Sequence, residues 1–158
     1  MKRNKYKHGI TLVEILVVVS VIAILATMLI GIAARINDQS KERGLESTFV
    51  LLESALQEYR EGTGRFPEQP EKNFANVAIH SEYIYRELDL MPESRKILER
   101  ITKSLVKNES GTVDTAPEIY DPWNMVIDYI YVLGDNFPEL VSAGPDKIFG
   151  TTDDISNK

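Results

Sequence analysis

Gly9-Ile10-Thr11-Leu12-Val13-Glu14-Ile15-Leu16-Val17-Val18-Val19-Ser20 opens the stretch that decides the fold, because from there to Ala34 the only charge is Glu14. Ile10 to Ala34 is 25 residues, and the 20 from Ile15 onward carry no charge at all. At about 1.5 Å rise per residue such a helix reaches roughly 37 Å, enough to cross a hydrocarbon core of about 30 Å. Four cations, Lys2, Arg3, Lys5 and Lys7, stand in front of it. They predict a cytoplasmic N-terminus, with everything after Ala34 on the far side of the membrane. A secretory signal peptide also begins with basic residues, but its apolar part is usually about 7 to 15 residues, shorter than this run. A plain membrane anchor is the second competing reading of the hydropathy.

Glu14 argues against the plain anchor. An ionised carboxylate inside an apolar span costs about 2.5 to 3.5 kcal/mol on insertion scales, so it normally has a partner. No cation is available nearby within the helix. The partner then comes from another copy of the chain, and the natural candidate is the free amine exposed by a cut after Gly9. An acid and an amine in an apolar interior favour assembly only when the two meet.

Lys7-His8-Gly9-Ile10-Thr11-Leu12-Val13-Glu14-Ile15-Leu16 resembles the class III signal of type IV pilins and type II secretion pseudopilins: a basic leader, Gly before the cut, and Glu as the fifth mature residue. The resemblance implies cleavage between Gly9 and Ile10 by a prepilin peptidase, N-methylation of the Ile10 amine, and packing of the apolar helices into the core of a homo-oligomeric helical filament. Ile10 stands where Phe is commoner. Gly31 stands where many relatives carry a Pro that marks a partly melted segment, and Gly also weakens a helix interior, by about 1 kcal/mol relative to Ala.

Past the apolar run, Leu45, Phe49, Leu52, Leu56 and Tyr59 recur at steps of four, three, four and three, which predicts one apolar face on a continuing helix. Gly62-Thr63-Gly64 then supplies a C-cap signal before Arg65-Phe66-Pro67. Residues 68–92 read as a loop with a short helix near Tyr83 to Leu90. A second helix is predicted over Glu93 to Val106 from Ile97, Leu98, Ile101 and Leu105, with Pro92 at its start. Val126 to Val132 and Glu139 to Ser142 read as two strands of a hairpin, separated by Gly134-Asp135-Asn136. Asp121-Pro122-Trp123-Asn124 in front of them resembles the start of the β-region in major pseudopilins, with Asn124 near where a Gly is often found.

Composition narrows the function. Of 18 Lys and Arg, four precede Gly9, and of 24 Asp and Glu only Glu14 precedes Arg35, so residues 35–158 net −9. So acidic a surface repels phosphate backbones and predicts no nucleic-acid partner. With no cysteine, disulfides, thiolate metal sites and a Cys nucleophile are excluded. The histidines are His8, in the leader, and an isolated His80, so no Ser-His-Asp or metal-His arrangement is expected and the chain is not read as an enzyme. The remaining enzymatic option is a carboxylate pair such as Glu82 and Glu87.

The tail, Ser142-Ala143-Gly144-Pro145-Asp146-Lys147-Ile148-Phe149-Gly150-Thr151-Thr152-Asp153-Asp154-Ile155-Ser156, is either a solvated acidic segment or an oxygen cage for a hard cation, whose ligands lie at about 2.3 to 2.6 Å. Its spacing is not that of an EF-hand. Ser-x-Gly-x-Asp followed by Asp-Asp-Ile resembles the calcium loop of major pseudopilins. Carried over, it implies one Ca2+ held by Asp146, Asp153 and the Ala143 carbonyl, with Asp154 or Ser156 as further contributors.

The expected fold is α+β and pilin-like: a long N-terminal helix, half transmembrane and half amphipathic, packed on a small C-terminal antiparallel sheet, with an extra helix near 93–106. Residues 1–9 form the leader, 10–34 the transmembrane and filament-core helix, and 35–158 a periplasmic domain. The resemblance favours the major pseudopilin of a type II secretion system, since pilins usually close their C-terminal region with a disulfide. Implied partners are the prepilin peptidase, minor pseudopilins, the inner-membrane assembly platform and membrane lipid. The alternatives are a type IV pilin for adhesion, motility or DNA uptake, and a membrane-anchored calcium-binding module that never polymerises.

Overall fold

A computed structural model describes residues 11–109 and 116–158, with the side chains of 28–35 outside that description. Helix α1 runs Leu12–Thr63, and the chain divides into two compact units after Gln39. In the first unit every described side chain from Thr11 to Thr27 is exposed. Among the described residues no helix is long and apolar enough to cross a membrane; the Ile10 to Ala34 run extends at both ends beyond the residues whose side chains are described.

The second unit, Ser40–Lys158, has its own core. Leu45, Phe49, Leu52, Leu56 and Tyr59 are all buried, so the stripe read from the sequence is the face of α1 on which this unit is built. Thr63 ends the helix. Gly64 follows at φ 79 and its N–H donates to the Arg60 carbonyl at 2.7 Å, a left-handed cap that glycine adopts without steric cost.

Residues 68–92 are not mainly loop. A 3-10 turn, Phe74–Asn76, leads into a full helix α2, Val77–Leu90, longer than the expected Tyr83 to Leu90. Its inward face includes the buried polar residues His80, Ser81 and Glu82 alongside Val77, Ile84 and Leu88, so hydrophobic periodicity could not reveal its first half. The helix expected near 93–106 is shorter: α3 spans Pro92–Leu98. The chain turns at Arg100 and Ile101, reaches an extended ψ of 122° at Thr102 and makes a 3-10 turn at Lys103–Leu105. Leu98 and Ile101 are buried and Ile97 and Leu105 pack against the core; their inward placement continues through a turn that is not helical. Ser94 Oγ donates to the Ala55 carbonyl at 2.9 Å, fastening α3 to α1.

Strands β1, Val106–Lys107, and β2, Glu118–Ile119, pair antiparallel. The three-stranded sheet has order β3-β4-β5, with β3 Asp128–Ile130, β4 Glu139–Ser142 and β5 Ile155–Ser156. The hairpin register pairs Asp128 with Val141, Tyr129 with Leu140 and Ile130 with Glu139. The first strand is shorter than the expected Val126 to Val132, since Val126 bridges Tyr120 and Tyr131 bridges Gln69 instead. The tail also adds a strand of its own, Ser142 pairing with Ile155 and Val141 with Ser156. The architecture is α+β, with small antiparallel sheets after the long helix.

Leu52 is 1% exposed at the centre of the helical stripe. Leu52→Ala is expected to destabilise the domain by about 2 to 5 kcal/mol, measured by chemical denaturation of the two proteins. An unchanged midpoint would remove α1 from the core.

Candidate functional site

At the N-terminal end, Thr11 and Glu14 form a reciprocal capping pair. The Glu14 N–H donates to Thr11 Oγ1 at 3.2 Å, and the Thr11 N–H donates to Glu14 Oε2 at 3.4 Å. This is the Thr-x-x-Glu box in which residues N-cap and N3 satisfy each other's backbone donors. Glu14 therefore starts the helix as well as charging it. The carboxylate stays exposed at the first turn of α1, flanked by Leu12 and Val13, themselves 81% and 69% exposed. Gly9 and Ile10 lie outside the described residues.

At the other end, the tail curls between β4 and β5. Gly144, Lys147 and Gly150 all have φ between 63° and 86°. At Gly144 the bend is obligatory, because a Cβ there would lie 2.1 Å from the Asp153 carbonyl oxygen. Asp153 Oδ2 accepts the Asp146 N–H at 3.0 Å, and its Oδ1 accepts the Thr151 hydroxyl. These bonds, that of Thr151 foremost, hold the Asp153 carboxyl below the usual carboxylate range. Asp154 Oδ2 accepts the Gly150 N–H at 2.7 Å, whereas its Oδ1 is buried without a hydrogen-bond partner. Asp146 Oδ1 accepts the Ile148 N–H at 2.8 Å. All three tail carboxylates thus belong to one loop, and Ala143, fully buried, sits at its root. Among the described residues no three carboxylate or imidazole groups converge as a metal cluster. The donor set fits a hard cation provided that backbone carbonyls complete it, and the orphaned Asp154 oxygen is the atom with most to gain. Ser156 instead lies in β5, its hydroxyl donating to the Lys158 carbonyl at 3.2 Å.

The loop is anchored by Asp121, which the sequence marks only as the start of the β-region. Asp121, 1% exposed, accepts the N–H groups of Trp123 at 2.9 Å and Met125 at 2.8 Å through Oδ1. Its Oδ2 accepts the Ser142 hydroxyl at 2.6 Å, and Ser142 Oγ accepts the Gly144 N–H at 3.1 Å. The turn at Asp121 and the root of the tail are therefore one polar network. Asn124 within that turn has φ 68, which explains why glycine suits the position. Asp-Pro at a turn was visible in the sequence; its pairing with Ser142 was not.

His80 is not isolated, contrary to its reading from the sequence. It is 3% exposed, and its Nδ1 lies 2.7 Å from Oδ1 of Asp128, which is fully buried. Asp128 Oδ1 also accepts the Tyr129 N–H at 2.9 Å. Burial pushes the Asp128 carboxyl up, and His80 pulls it back. The 48 residues separating the two hide this contact from any local pattern. Glu82 is buried, while Glu87 accepts the Tyr59 hydroxyl at 2.9 Å.

Comparison with known proteins agrees with the first end of the chain and extends to the whole of it. The family model described as the prokaryotic N-terminal methylation motif matches residues 4–30, which include Gly9, Ile10 and Glu14. The type II secretion system core protein G of Klebsiella michiganensis is 26% identical over 155 residues, covering 98% of this chain and 95% of the relative. That of Escherichia coli K12 is 28% identical, covering 99% and 94%. A crystal structure of the major pseudopilin from the type 2 secretion system of enterohaemorrhagic Escherichia coli matches with a TM-score of 0.40 at 21% identity, covering 76% of this chain and 84% of that one. Residues 4–30 carry the N-terminal methylation motif. The chain is similar, along almost its entire length, to the core protein G of type II secretion systems.

Proposed function

We propose that this chain is the structural subunit of a type II secretion pseudopilus, made with a leader that is removed after Gly9 and assembled from the cytoplasmic membrane into a filament that serves protein secretion. The observation that carries this reading is Glu14, a lone acid at the first turn of a helix whose next 20 residues hold no charge. The capping pair with Thr11 satisfies backbone donors but leaves the negative charge in place, so the charge still lacks a counter-ion in an apolar setting. The Ile10 amine of a neighbouring copy supplies one. Before assembly the helix spans the membrane with its N-terminus in the cytoplasm and the unit after Arg35 in the periplasm. The prepilin peptidase cuts and methylates the N-terminus, and the inner-membrane platform and minor pseudopilins start and drive the stack.

In the same proposal one Ca2+ is held in the tail by Asp146, Asp153, Asp154 and the Ala143 carbonyl. Its role is a staple. Carboxylates gathered in one loop repel one another until a cation compensates them, and an ion that binds only the folded state stabilises it.

Glu14→Ala is expected to insert in the membrane as well as wild type but to yield far fewer sheared filaments when the two are expressed at equal levels. Equal filament yield would overturn the pairing. The full chain in detergent is expected to melt at a higher temperature with calcium than with chelator, and Asp153→Asn to lose most of that increase. A wild-type melt indifferent to calcium would leave the tail a solvated acidic segment.

A further inference from the structure

The tip of the tail loop leans on an aromatic pair. Among the described residues from Pro145 to Thr152, all are exposed except Phe149. Asp146, Ile148, Gly150 and Thr151 hydrogen-bond to groups of the tail itself. Phe149 instead stacks on Phe74, with ring centroids 4.8 Å apart and planes inclined by 14°, a geometry in which aromatic rings attract beyond the area they bury. Phe74 is 43% exposed and stands outside the hydrophobic core; the ring contact it makes is with the tail.

The platform under Phe74 is fixed from the sheet side. Phe74 opens the 3-10 turn ahead of α2. Asn73 caps that turn by accepting the Ala75 N–H at 3.1 Å, and the Asn73 and Asn76 amides donate to Glu71 Oε1 at 3.2 and 2.9 Å. The Glu71 N–H donates to Gln69 Oε1 at 2.7 Å, and Gln69 bridges Tyr131 just beyond β3. A chain of hydrogen bonds thus runs from the sheet to the segment that carries the ring. On the other side, the two residues after Phe149 hold the tail carboxylates: the Gly150 N–H donates to Asp154 Oδ2 and the Thr151 hydroxyl to Asp153 Oδ1. Phe74 borders Gly150 as well, since a Cβ there would lie 3.9 Å from Phe74 Cε2. Displacing Phe149 therefore moves the donors that aim Asp153 and Asp154.

We propose that Phe74 and Phe149 form a latch that presets the tail loop for Ca2+, both rings acting as positioning residues that touch no ion. The inference rests on the calcium reading of the tail and adds to it a residue remote in sequence, on a different element. Ordering a loop around a cation costs conformational entropy, and a loop already ordered binds more tightly because less of that cost falls on the binding step. Site rigidity, together with ligand charge, sets calcium affinity. The coupling is reciprocal: an ion in the loop holds Phe149 against Phe74 and so steadies the entry to α2.

The test is a calorimetric titration of calcium into the full chain in detergent, stripped beforehand with chelator. Phe74→Ala is expected to weaken calcium binding about 3- to 10-fold, whereas Phe74→Tyr, which keeps a ring able to stack, retains wild-type affinity. Ile79→Ala removes a comparably exposed apolar group from α2 and is expected to leave affinity unchanged. Thermal melts of Phe74→Ala in chelator should match wild type, with the deficit confined to melts in calcium. The latch is overturned, and the calcium reading kept, if Phe74→Ala binds as tightly as wild type, if Phe74→Tyr loses as much affinity as Phe74→Ala, or if Phe74→Ala lowers the melting temperature equally with calcium and with chelator. A wild-type chain that takes up no calcium overturns the calcium reading itself and the latch with it.

Discussion

The structure of the compact unit depends on one face of α1. Leu45, Phe49, Leu52, Leu56 and Tyr59 are buried together with Ala55, and Phe66, Leu88, Leu98, Ile119, Trp123, Tyr129 and Leu140 complete the same cluster. A helix buried along a stripe can be covered by almost any combination of short elements that contribute apolar groups in the right places. That is why strands of two to four residues suffice here, where an independent sheet would need more. Polar groups enclosed by this arrangement pair with one another across the fold: Asp121 with its own turn and Ser142, His80 with Asp128, and the Tyr129 hydroxyl with the Pro67 carbonyl at 2.7 Å.

The N-terminal part of α1 meets a different demand. Its described side chains are exposed and almost all apolar from Leu12 to Thr27, a surface that water penalises and that lipid or other copies would cover in the proposed assembly. Glu14 is the one group there that such a surrounding penalises. Its capping contact with Thr11 offsets backbone donors but not the charge itself, which keeps an amine partner worth having. In the proposed filament both requirements, cover for the apolar surface and a counter-charge for Glu14, are met by packing against a neighbouring copy.

What could be read from the sequence divides by the range of the physical signal. The apolar run, Glu14, the α1 stripe and its Gly64 stop are local patterns, and residues within a few positions of each other carry all of them. The hairpin of β3 and β4 was legible for the same reason. The first half of α2 was not, because His80, Ser81 and Glu82 occupy buried positions where periodicity looks for apolar residues. The Ile97 to Leu105 spacing misled in the opposite direction, since a turn after Leu98 keeps the same residues inward without continuing the helix. In the tail, the acids and glycines marked a candidate loop, but the Asp121 and Ser142 link that anchors it spans 21 residues, and the histidine pair spans 48. Contacts of that range arise from packing and leave no spacing to detect.

The central claim, that a cut after Gly9 frees the amine which Glu14 of a neighbour then meets, is tested most directly by the intact mass of the protein extracted from its native membrane. The account predicts a chain that begins at Ile10 and is one methyl group heavier than its unmodified sequence. A mass corresponding to the full chain from Met1 would contradict it.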